Sequence, residues 1–140
     1  MAEILNPEGR DLIVIAEDSP PNRKILAHLL EKLGFAVKAF ENGEEAWKAL
    51  SSDCRHAKLV ISDIMMPSMD GIQFLRHVRE SAEFSGLPFV LVTAISEKEY
   101  ISQATALKVN GYILKPVTFS RVTAKLQELF PNKTFPKLAG

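Results

Sequence analysis

The sequence predicts an α/β domain in which one sheet of five parallel strands carries helices on both faces. Short apolar runs of β type alternate five times with amphipathic helical runs, and the connections between them are only a few residues long. Several of the β-type runs are apolar throughout, which is typical of strands buried on both faces of a parallel sheet. Four of them end in charged or hydroxyl residues, which indicates a site at one edge of that sheet.

The composition excludes several classes of protein. The 140 residues suffice for one domain with a sizeable core. Lys plus Arg and Asp plus Glu number 17 each, so the charge balance does not indicate binding to nucleic acid or to a membrane surface. Cys54 is the single cysteine, which excludes an internal disulfide and suits a reducing compartment. With no apolar run near the roughly 20 residues of a membrane span and no signal-peptide pattern, we expect a cytoplasmic protein.

The elements follow from apolar period and capping residues. The strands are predicted over residues 11–16, 35–40, 58–62, 88–92 and 111–114. The helices are predicted to begin at Ser19, Asn42, Asp70, Ser96 and about Thr118, each followed by apolar residues on one face. We interpret residues 1–10 as an N-terminal arm, residues 11–130 as the domain and residues 131–140 as a C-terminal tail.

The chain is organised around residues 59–71, LVISDIMMPSMDG, where a buried β-type run ends at the carboxylate of Asp63. In an open parallel sheet, ligands bind beyond the carboxyl ends of the strands. The polar residues predicted to meet at that edge are Glu17, Asp18, Asp63, Thr93 and Lys115.

The residue types at this edge suit phosphoryl chemistry. Three clustered carboxylates repel one another, and burial raises the pKa of at least one of them unless a cation neutralises the group. A hard divalent ion with oxygen ligands, Mg²⁺, is the natural solution. Lys115 adds a positive charge and Thr93 a hydroxyl, which together with a metal suit the oxygens of a phosphoryl group. An aspartate in such a site can itself be the nucleophile and form an acyl phosphate.

Each of these residues also has a simpler explanation by itself. Glu17-Asp18 could be a charge pair at a helix start, Thr93 a strand-end hydroxyl and Lys115 merely the residue before a proline. Their joint occurrence at four strand ends favours a site. The remaining candidates are interpreted as surface, turn-packing or helix-packing residues, namely His28, His56, His77, Met65, Met66, Met69 and Trp47.

These motifs resemble those of a response-regulator receiver domain of the chemotaxis type, the phosphorylatable module of two-component signalling. The resemblance rests on Glu17-Asp18, the DIMMPSMDG segment that begins at Asp63, a threonine thirty residues later and the Lys115-Pro116 pair fifty-two residues later. It covers about residues 11–130 and implies a flavodoxin-like, doubly wound fold.

The resemblance implies that Asp63 accepts a phosphoryl group from a phosphohistidine on a histidine kinase or histidine phosphotransferase domain. It also implies a Mg²⁺ ion held by Asp18, Asp63 and the main-chain carbonyl of Met65, with Glu17 acting through water. Asp63 and Lys115 would carry self-phosphorylation and self-dephosphorylation. The domain would thus be a regulatory phosphoacceptor, not an enzyme that acts on other molecules.

The same resemblance implies how the domain responds to phosphate. Thr93 and Lys115 would bind phosphoryl oxygens, and Tyr112 would change rotamer as Thr93 moves. Lys115-Pro116 would be a cis peptide. The surface of the fourth helix, fifth strand and fifth helix would then change its binding to a downstream protein target. Phosphorylation-dependent homodimerisation stays open, whereas nucleic acid and membrane are not expected as partners.

Some positions bear on how this chain differs from the family pattern. Lys108-Val109 stands where the family often has Gly-Ala, so a left-handed helix end there would be strained. Val117 stands where an aromatic residue is common. Met65 and Ile95 occupy the two positions that flank the path of the hydrolytic water in this family, and both are apolar. We therefore expect slow loss of the phosphoryl group.

Two other functions are open at this point. A Mg²⁺-dependent phosphohydrolase with an aspartyl nucleophile would share the acidic site. Such enzymes usually carry a second acid two residues after the nucleophile, where this chain has Met65, and they need a cap or substrate pocket. The other alternative is a receiver-shaped interaction module that never takes phosphate, and the complete set of site residues argues against it.

Overall fold

A computed structural model describes residues 10–133, except for the side chains of Ile95 and Ser96. The strands are β1 (Leu12–Ala16), β2 (Ala36–Phe40), β3 (Leu59–Asp63), β4 (Phe89–Thr93) and β5 (Gly111–Leu114). The helices are α1 (Pro20–Lys32), α2 (Gly43–Leu50), α3 (Gly71–Glu80), α4 (Ile101–Ala106) and α5 (Phe119–Leu129), and a 3-10 segment, Ile95–Tyr100, leads into α4. Residues 1–9 of the predicted arm and residues 134–140 of the predicted tail lie outside the described residues.

The five strands form one parallel sheet in the order β2-β1-β3-β4-β5. The strand order reverses beside β1 and β3, and at such a point the carboxyl ends of the strands leave a crevice in which ligands bind. The register places Asp63 beside Val92 and Thr93 beside Leu114. The predicted α/β fold, flavodoxin-like and doubly wound with five parallel strands, is confirmed.

Two apolar cores cover the two faces of the sheet. One core takes buried side chains from α2, α3 and α4, and the other takes them from α1 and α5. Strands β1, β3 and β4 are buried at every position. Full burial of one large apolar side chain contributes about 1.5–3 kcal/mol to the stability of the folded state. The buried side chains of these central strands therefore fix the positions of the residues at their carboxyl ends. Within the described part of the chain, no helix is long and apolar enough to cross a bilayer.

Trp47 on α2 and the exposed His77 on α3 stack with ring centroids 5.7 Å apart, so Trp47 packs between helices and His77 is a surface residue, as interpreted from the sequence. His56 differs from its interpretation as a surface or satisfied residue. Its Nδ1 atom is buried and has no hydrogen-bond partner among residues 10–133.

Four helices begin where their capping residues predict. The side chain of each capping residue accepts a backbone N–H of the first turn, namely Ser19, Asn42, Asp70 and Thr118. Asp70 also forms a reciprocal capping box with Gln73, with bonds of 2.8 and 2.9 Å. The cap therefore fixes α3 directly after the loop that follows β3.

The segment after β4 differs from its prediction. The 3-10 segment begins at Ile95 and α4 only at Ile101, so the predicted helix start at Ser96 is wrong. The cause is Glu97, whose carboxylate accepts the Ala94 N–H at 2.7 Å while its own N–H donates to the Ala94 carbonyl at 3.0 Å. These two bonds close a tight turn immediately after the strand.

Lys108, the second residue after α4, has a left-handed backbone conformation with φ at 58°. Helices that end in this conformation usually have glycine at that position. The Lys108 N–H donates to the Thr105 carbonyl at 3.0 Å, and the Val109 N–H donates to the Ala104 carbonyl at 3.1 Å. Gly34 ends α1 with the same pair of bonds and φ at 99°. The chain therefore adopts the left-handed helix end at position 108 without the glycine that relieves its strain.

Arg79 on α3 binds the segment that connects α4 to β5. Its guanidinium donates to the carbonyl oxygens of Leu107 at 3.0 Å and Leu87 at 2.7 Å, and to Asn110 Oδ1 at 2.8 Å. Asn110 Oδ1 also accepts the Phe89 N–H at 2.8 Å. One side chain thus connects α3, the end of α4, the segment before β4 and the segment before β5.

Candidate functional site

The carboxyl edge of the sheet brings together the acidic residues that the sequence singles out. One carboxylate oxygen from each of Glu17, Asp18 and Asp63 lies within 4.8 Å of the other two. Lys115 reaches this group from the end of β5, with its Nζ 3.1 Å from Asp63 Oδ1. Thr93 ends the neighbouring strand β4 and is buried. The structure therefore places all five predicted edge residues around one crevice.

Asp63 lies at the centre, on the last position of β3, and is only 4% exposed. Its Oδ1 accepts the Ile64 N–H at 2.9 Å, and its Oδ2 accepts a hydrogen bond from Lys115 Nζ at 3.2 Å. Burial raises the pKa of Asp63, although Lys115 acts in the opposite direction. The site therefore holds a carboxylate in a fixed orientation but at an electrostatic cost.

Glu17 is the second buried carboxylate. Ser19 N–H donates to its Oε2 at 3.1 Å, and Arg23 Nη1 donates to its main-chain oxygen at 2.8 Å. Burial raises the pKa of Glu17 to about 7, the Ser19 bond opposes this, and the charge of Asp63 adds to it. Asp18 is exposed and closes the cluster on the solvent side.

Glycine shapes the loop that follows Asp63. A Cβ on Gly71 would collide with the main-chain oxygen of Asp63, and the Gly71 N–H donates to the Ile64 carbonyl at 2.7 Å. On its other side the loop meets α2, where the Gly43 N–H donates to the Met69 carbonyl at 3.0 Å. A Cβ on Gly43 would lie 2.6 Å from that carbonyl oxygen. Both glycines therefore permit close backbone contacts that clamp the loop.

The three methionines of this loop do not behave alike. Met66 and Met69 pack against the core, as predicted for turn-packing residues. Met65 does not, because its side chain is 52% exposed. The prediction that Met65 packs in the turn is therefore wrong, and its side chain is largely open to solvent.

The turn that follows β5 fixes the position of Lys115. Its N–H donates to the Thr93 carbonyl at 2.8 Å, and the Lys115–Pro116 peptide is cis, as predicted. Arg121 Nη1 donates to the main-chain oxygens of Leu114 at 2.9 Å and Pro116 at 3.2 Å. Partial burial lowers the pKa of Lys115, but Asp63 and the other nearby carboxylates outweigh it, so the pKa is raised. The ammonium is therefore firmly charged.

Thr93 and Tyr112 lie on the same face of neighbouring strands, since Tyr112 is in register with Leu91 and Leu114 with Thr93. The Thr93 hydroxyl donates to the Ala94 carbonyl at 3.1 Å. The Tyr112 hydroxyl donates to the main-chain oxygen of Ile101 at 3.2 Å. The Thr93 side chain therefore bonds to the residue directly after β4, and the Tyr112 side chain bonds to the first residue of α4.

Glu97 belongs to the site environment and was missed from the sequence. It lies half-buried in the 3-10 segment and bonds to the Ala94 N–H, and its charge is one of those that raise the pKa of Lys115. The sequence does contain the three-residue spacing of a capping box, from Ala94 to Glu97. A capping box is usually recognised by a serine or threonine at its first position, and alanine has no side-chain acceptor, so this one was not recognised.

The donor set fits a hard divalent cation. Glu17, Asp18 and Asp63 offer carboxylate oxygens at mutual distances that one ion could span, and Lys115 is the cation that contacts Asp63. Three carboxylates against one ammonium leave excess negative charge, and the charge of Asp63 adds to the burial that raises the pKa of Glu17. A metal ion held by these carboxylates would relieve this charge.

Comparison with known proteins gives consistent matches. A profile of the family described as "Response regulator receiver domain" matches residues 13–127. Chemotaxis protein CheY-3 of Vibrio cholerae is 36% identical over 134 residues, covering 93% of this chain and 98% of that protein. Chemotaxis protein CheY1 of Helicobacter pylori is 32% identical over 116 residues, covering 82% and 93%. Among solved structures, the receiver domain of a signal transduction histidine kinase from Syntrophus aciditrophicus has a TM-score of 0.78 at 28% identity, covering 93% and 99%.

Proposed function

The chain belongs to the response regulator receiver family of two-component signalling, and from this premise we propose that Asp63 is its phosphoryl acceptor. The observation that carries the proposal is the position of Asp63. Its buried carboxylate contacts Lys115 and lies within 4.8 Å of the carboxylates of Glu17 and Asp18. This set can neutralise a phosphoryl group and its metal while presenting an oxygen nucleophile.

The proposed step is an in-line transfer from a phosphohistidine. An Asp63 carboxylate oxygen forms a bond to phosphorus as the phosphorus–nitrogen bond of the donor breaks, and the imidazole nitrogen keeps the electron pair. The product is an aspartyl phosphate. Lys115 Nζ contacts both carboxylate oxygens of Asp63, so it has to move away from the oxygen that attacks phosphorus. It can then bind an oxygen of the transferred phosphoryl group.

Mg²⁺ is the proposed cofactor. The residues that would hold it are Asp18, Asp63 and the main-chain carbonyl of Met65, with Glu17 acting through water. When bound, the ion would neutralise the carboxylates and the transferred phosphoryl oxygens. The buried Glu17 supports this proposal, because burial first and then the charge of Asp63 raise its pKa to about 7, and a bound cation would favour its charged form.

The proposed response passes through Thr93 and Tyr112. Thr93 and Lys115 would bind phosphoryl oxygens, and the Thr93 hydroxyl would then leave the Ala94 carbonyl. Tyr112 would change rotamer as the segment between β4 and α4 rearranges. The surface of α4, β5 and α5 is the proposed output face, and its exposed apolar side chains, Ile101 and Leu114, suit contact with a protein target.

The family implies a histidine kinase or histidine phosphotransferase as the donor and a protein as the downstream target. We propose that the chain works as a regulatory phosphoacceptor whose covalent chemistry is confined to its own Asp63. Phosphorylation-dependent homodimerisation is one form that the output could take. The cytoplasm is the proposed compartment, since it supplies both the kinase domain and Mg²⁺.

A small acyl phosphate with Mg²⁺, followed by intact-mass spectrometry, tests this function. We expect one phosphoryl group on the wild type, none on Asp63→Asn and none on the wild type without Mg²⁺. Turnover of phosphate esters without stable labelling would favour the phosphohydrolase alternative. An unlabelled wild type would favour an interaction module that takes no phosphate.

A further inference from the structure

The Glu97 carboxylate joins the end of β4 to the start of the 3-10 segment. Its Oε1 accepts the Ala94 N–H at 2.7 Å, and the Glu97 N–H donates to the Ala94 carbonyl at 3.0 Å. The same Ala94 carbonyl accepts the Thr93 hydroxyl at 3.1 Å. The residue after Thr93 is therefore held on both its N–H and its carbonyl by groups that can move.

Glu97 is also the point at which the segment bends. Its φ of −103° and ψ of 22° depart from helical values inside an otherwise continuous turn from Ile95 to Tyr100. Among the side chains that the structure describes, no other one caps the start of the segment, and we therefore expect the bonds to Ala94 to hold this bend. Loss of the carboxylate contact would release the bend.

The charge of Glu97 acts on the phosphoryl site through Lys115. The Lys115 ammonium is attracted by Asp63 first, then by Glu17 and Glu97. A phosphoryl group adds about 1.5 to 2 negative charges at neutral pH. Placed on Asp63, it would draw Lys115 away from the influence of Glu97 and would repel the Glu97 carboxylate.

We propose that Glu97 is a latch: its carboxylate holds residues 94–100 in the unphosphorylated arrangement, and negative charge added at Asp63 releases it. This inference rests on the proposed function. In this proposal, Glu97 is the residue through which added charge on Asp63 changes the backbone conformation of residues 94–100. The latch opposes phosphorylation by the same free energy with which phosphorylation opens it.

The test uses beryllium fluoride with Mg²⁺, an anion that mimics a phosphoryl group on a carboxylate, and three variants of the full chain. Glu97→Gln removes the charge, Glu97→Ala removes the acceptor, and the exposed Glu99→Gln makes the same charge change two residues away as a matched control. Because the latch opposes binding of the anion, we expect Glu97→Ala to bind it on the order of tenfold more tightly than wild type, which corresponds to about 1.4 kcal/mol. Glu97→Gln should lie between them, and Glu99→Gln should match wild type.

A second readout separates a latch from a simple change in surface charge. Without anion, the amide resonances of residues 97–105 in Glu97→Ala should shift along the line that joins the free and bound positions of the wild type. The Glu99→Gln resonances should stay at the free position. If wild type binds the anion and Glu97→Ala matches it in affinity and resonance positions, the latch is wrong while the proposed function stands. If wild type does not bind the anion at all, both are wrong.

Discussion

Lys115 Nζ contacts both carboxylate oxygens of Asp63, at 3.1 Å from Oδ1 and 3.2 Å from Oδ2. The contact joins the end of β5 to the end of β3 across the sheet and sets one ammonium against three clustered carboxylates. This lysine therefore both stabilises the cluster and covers the proposed nucleophile.

Replacing Lys115 with methionine should destabilise the metal-free protein. The variant keeps the length of the side chain but leaves the buried Asp63 carboxylate unpaired, so we expect a loss of about 1–3 kcal/mol in the free energy of unfolding. Urea denaturation at neutral pH in EDTA measures it. In an Asp63→Asn background the same change should cost less than about 0.5 kcal/mol. Equal costs in both backgrounds would contradict the pairing.

Glu17 predicts a pH dependence of the metal-free protein. Its folded-state pKa of about 7 lies above the ordinary value of 4.5, so the folded state binds this proton more tightly than the unfolded state. The stability that the proton contributes is fully present below the ordinary pKa and is lost as the pH rises through about 7. The free energy of unfolding in EDTA should therefore decrease across this window in wild type and vary less in Glu17→Gln. Parallel profiles would show that another group titrates.

Gly71 should tolerate no larger residue. In Gly71→Ala the new Cβ meets the main-chain oxygen of Asp63, so the loop has to shift and we expect a loss of about 1–3 kcal/mol together with weaker Mg²⁺ binding. Thermal denaturation and Mg²⁺ titration followed by NMR measure the two effects. Gly86→Ala is the matched control, because a Cβ there meets nothing within 4 Å. A Gly71→Ala protein that behaves like Gly86→Ala would contradict the close contact.

Lys108→Gly should stabilise the protein by about 0.5–1 kcal/mol, because glycine relieves the left-handed conformation at φ 58°. Gly34→Ala is the converse change. A Cβ on Gly34 meets nothing within 4 Å, so its expected cost of about 1–2 kcal/mol reports backbone conformation alone. Urea denaturation of both variants checks the pair. A stabilised Gly34→Ala protein would mean that these helix ends do not carry strain.

Met65 bears on the lifetime of the proposed aspartyl phosphate. Its exposed, apolar side chain cannot orient a hydrolytic water by a hydrogen bond, so we expect slow self-dephosphorylation. The aspartyl phosphate should decay faster in Met65→Asn, by a factor on the order of several-fold. Decay of labelled protein after donor removal measures it. Ile95→Glu is predicted to act in the same direction, although the Ile95 side chain lies outside the described residues. If neither substitution accelerates the decay, the apolar residues do not shield the phosphoryl group.

The edge of the sheet was predictable because few physical rules determine it. Continuous apolar runs indicate buried parallel strands, and the carboxyl ends of such strands meet at one edge. Asp63 and Lys115 therefore come together although fifty-two residues separate them. Side-chain caps fixed four helix starts for a similar reason, since each needs only a residue type and a short spacing.

The segment after β4 was not predictable in the same way. Its turn depends on the Glu97 carboxylate reaching back to Ala94, and a cap made by the third residue alone leaves no signal at the capping position. The bonds of Arg79 depend on three loops meeting at one point, and each partner is a main-chain oxygen or Asn110. Such contacts follow from the tertiary structure, and any residue type could supply the carbonyl.

Arg79 has a mechanical consequence for the proposed response. It bonds to the carbonyl oxygens of Leu107 and Lys108, so the carboxyl end of α4 is tied to α3. At its other end α4 continues from the 3-10 segment, which bends at Glu97. In the proposed rearrangement of residues 94–100, α4 would therefore pivot about the end that Arg79 holds. The largest displacement should then fall on the first turn of α4, where Ile101 presents its apolar side chain to solvent.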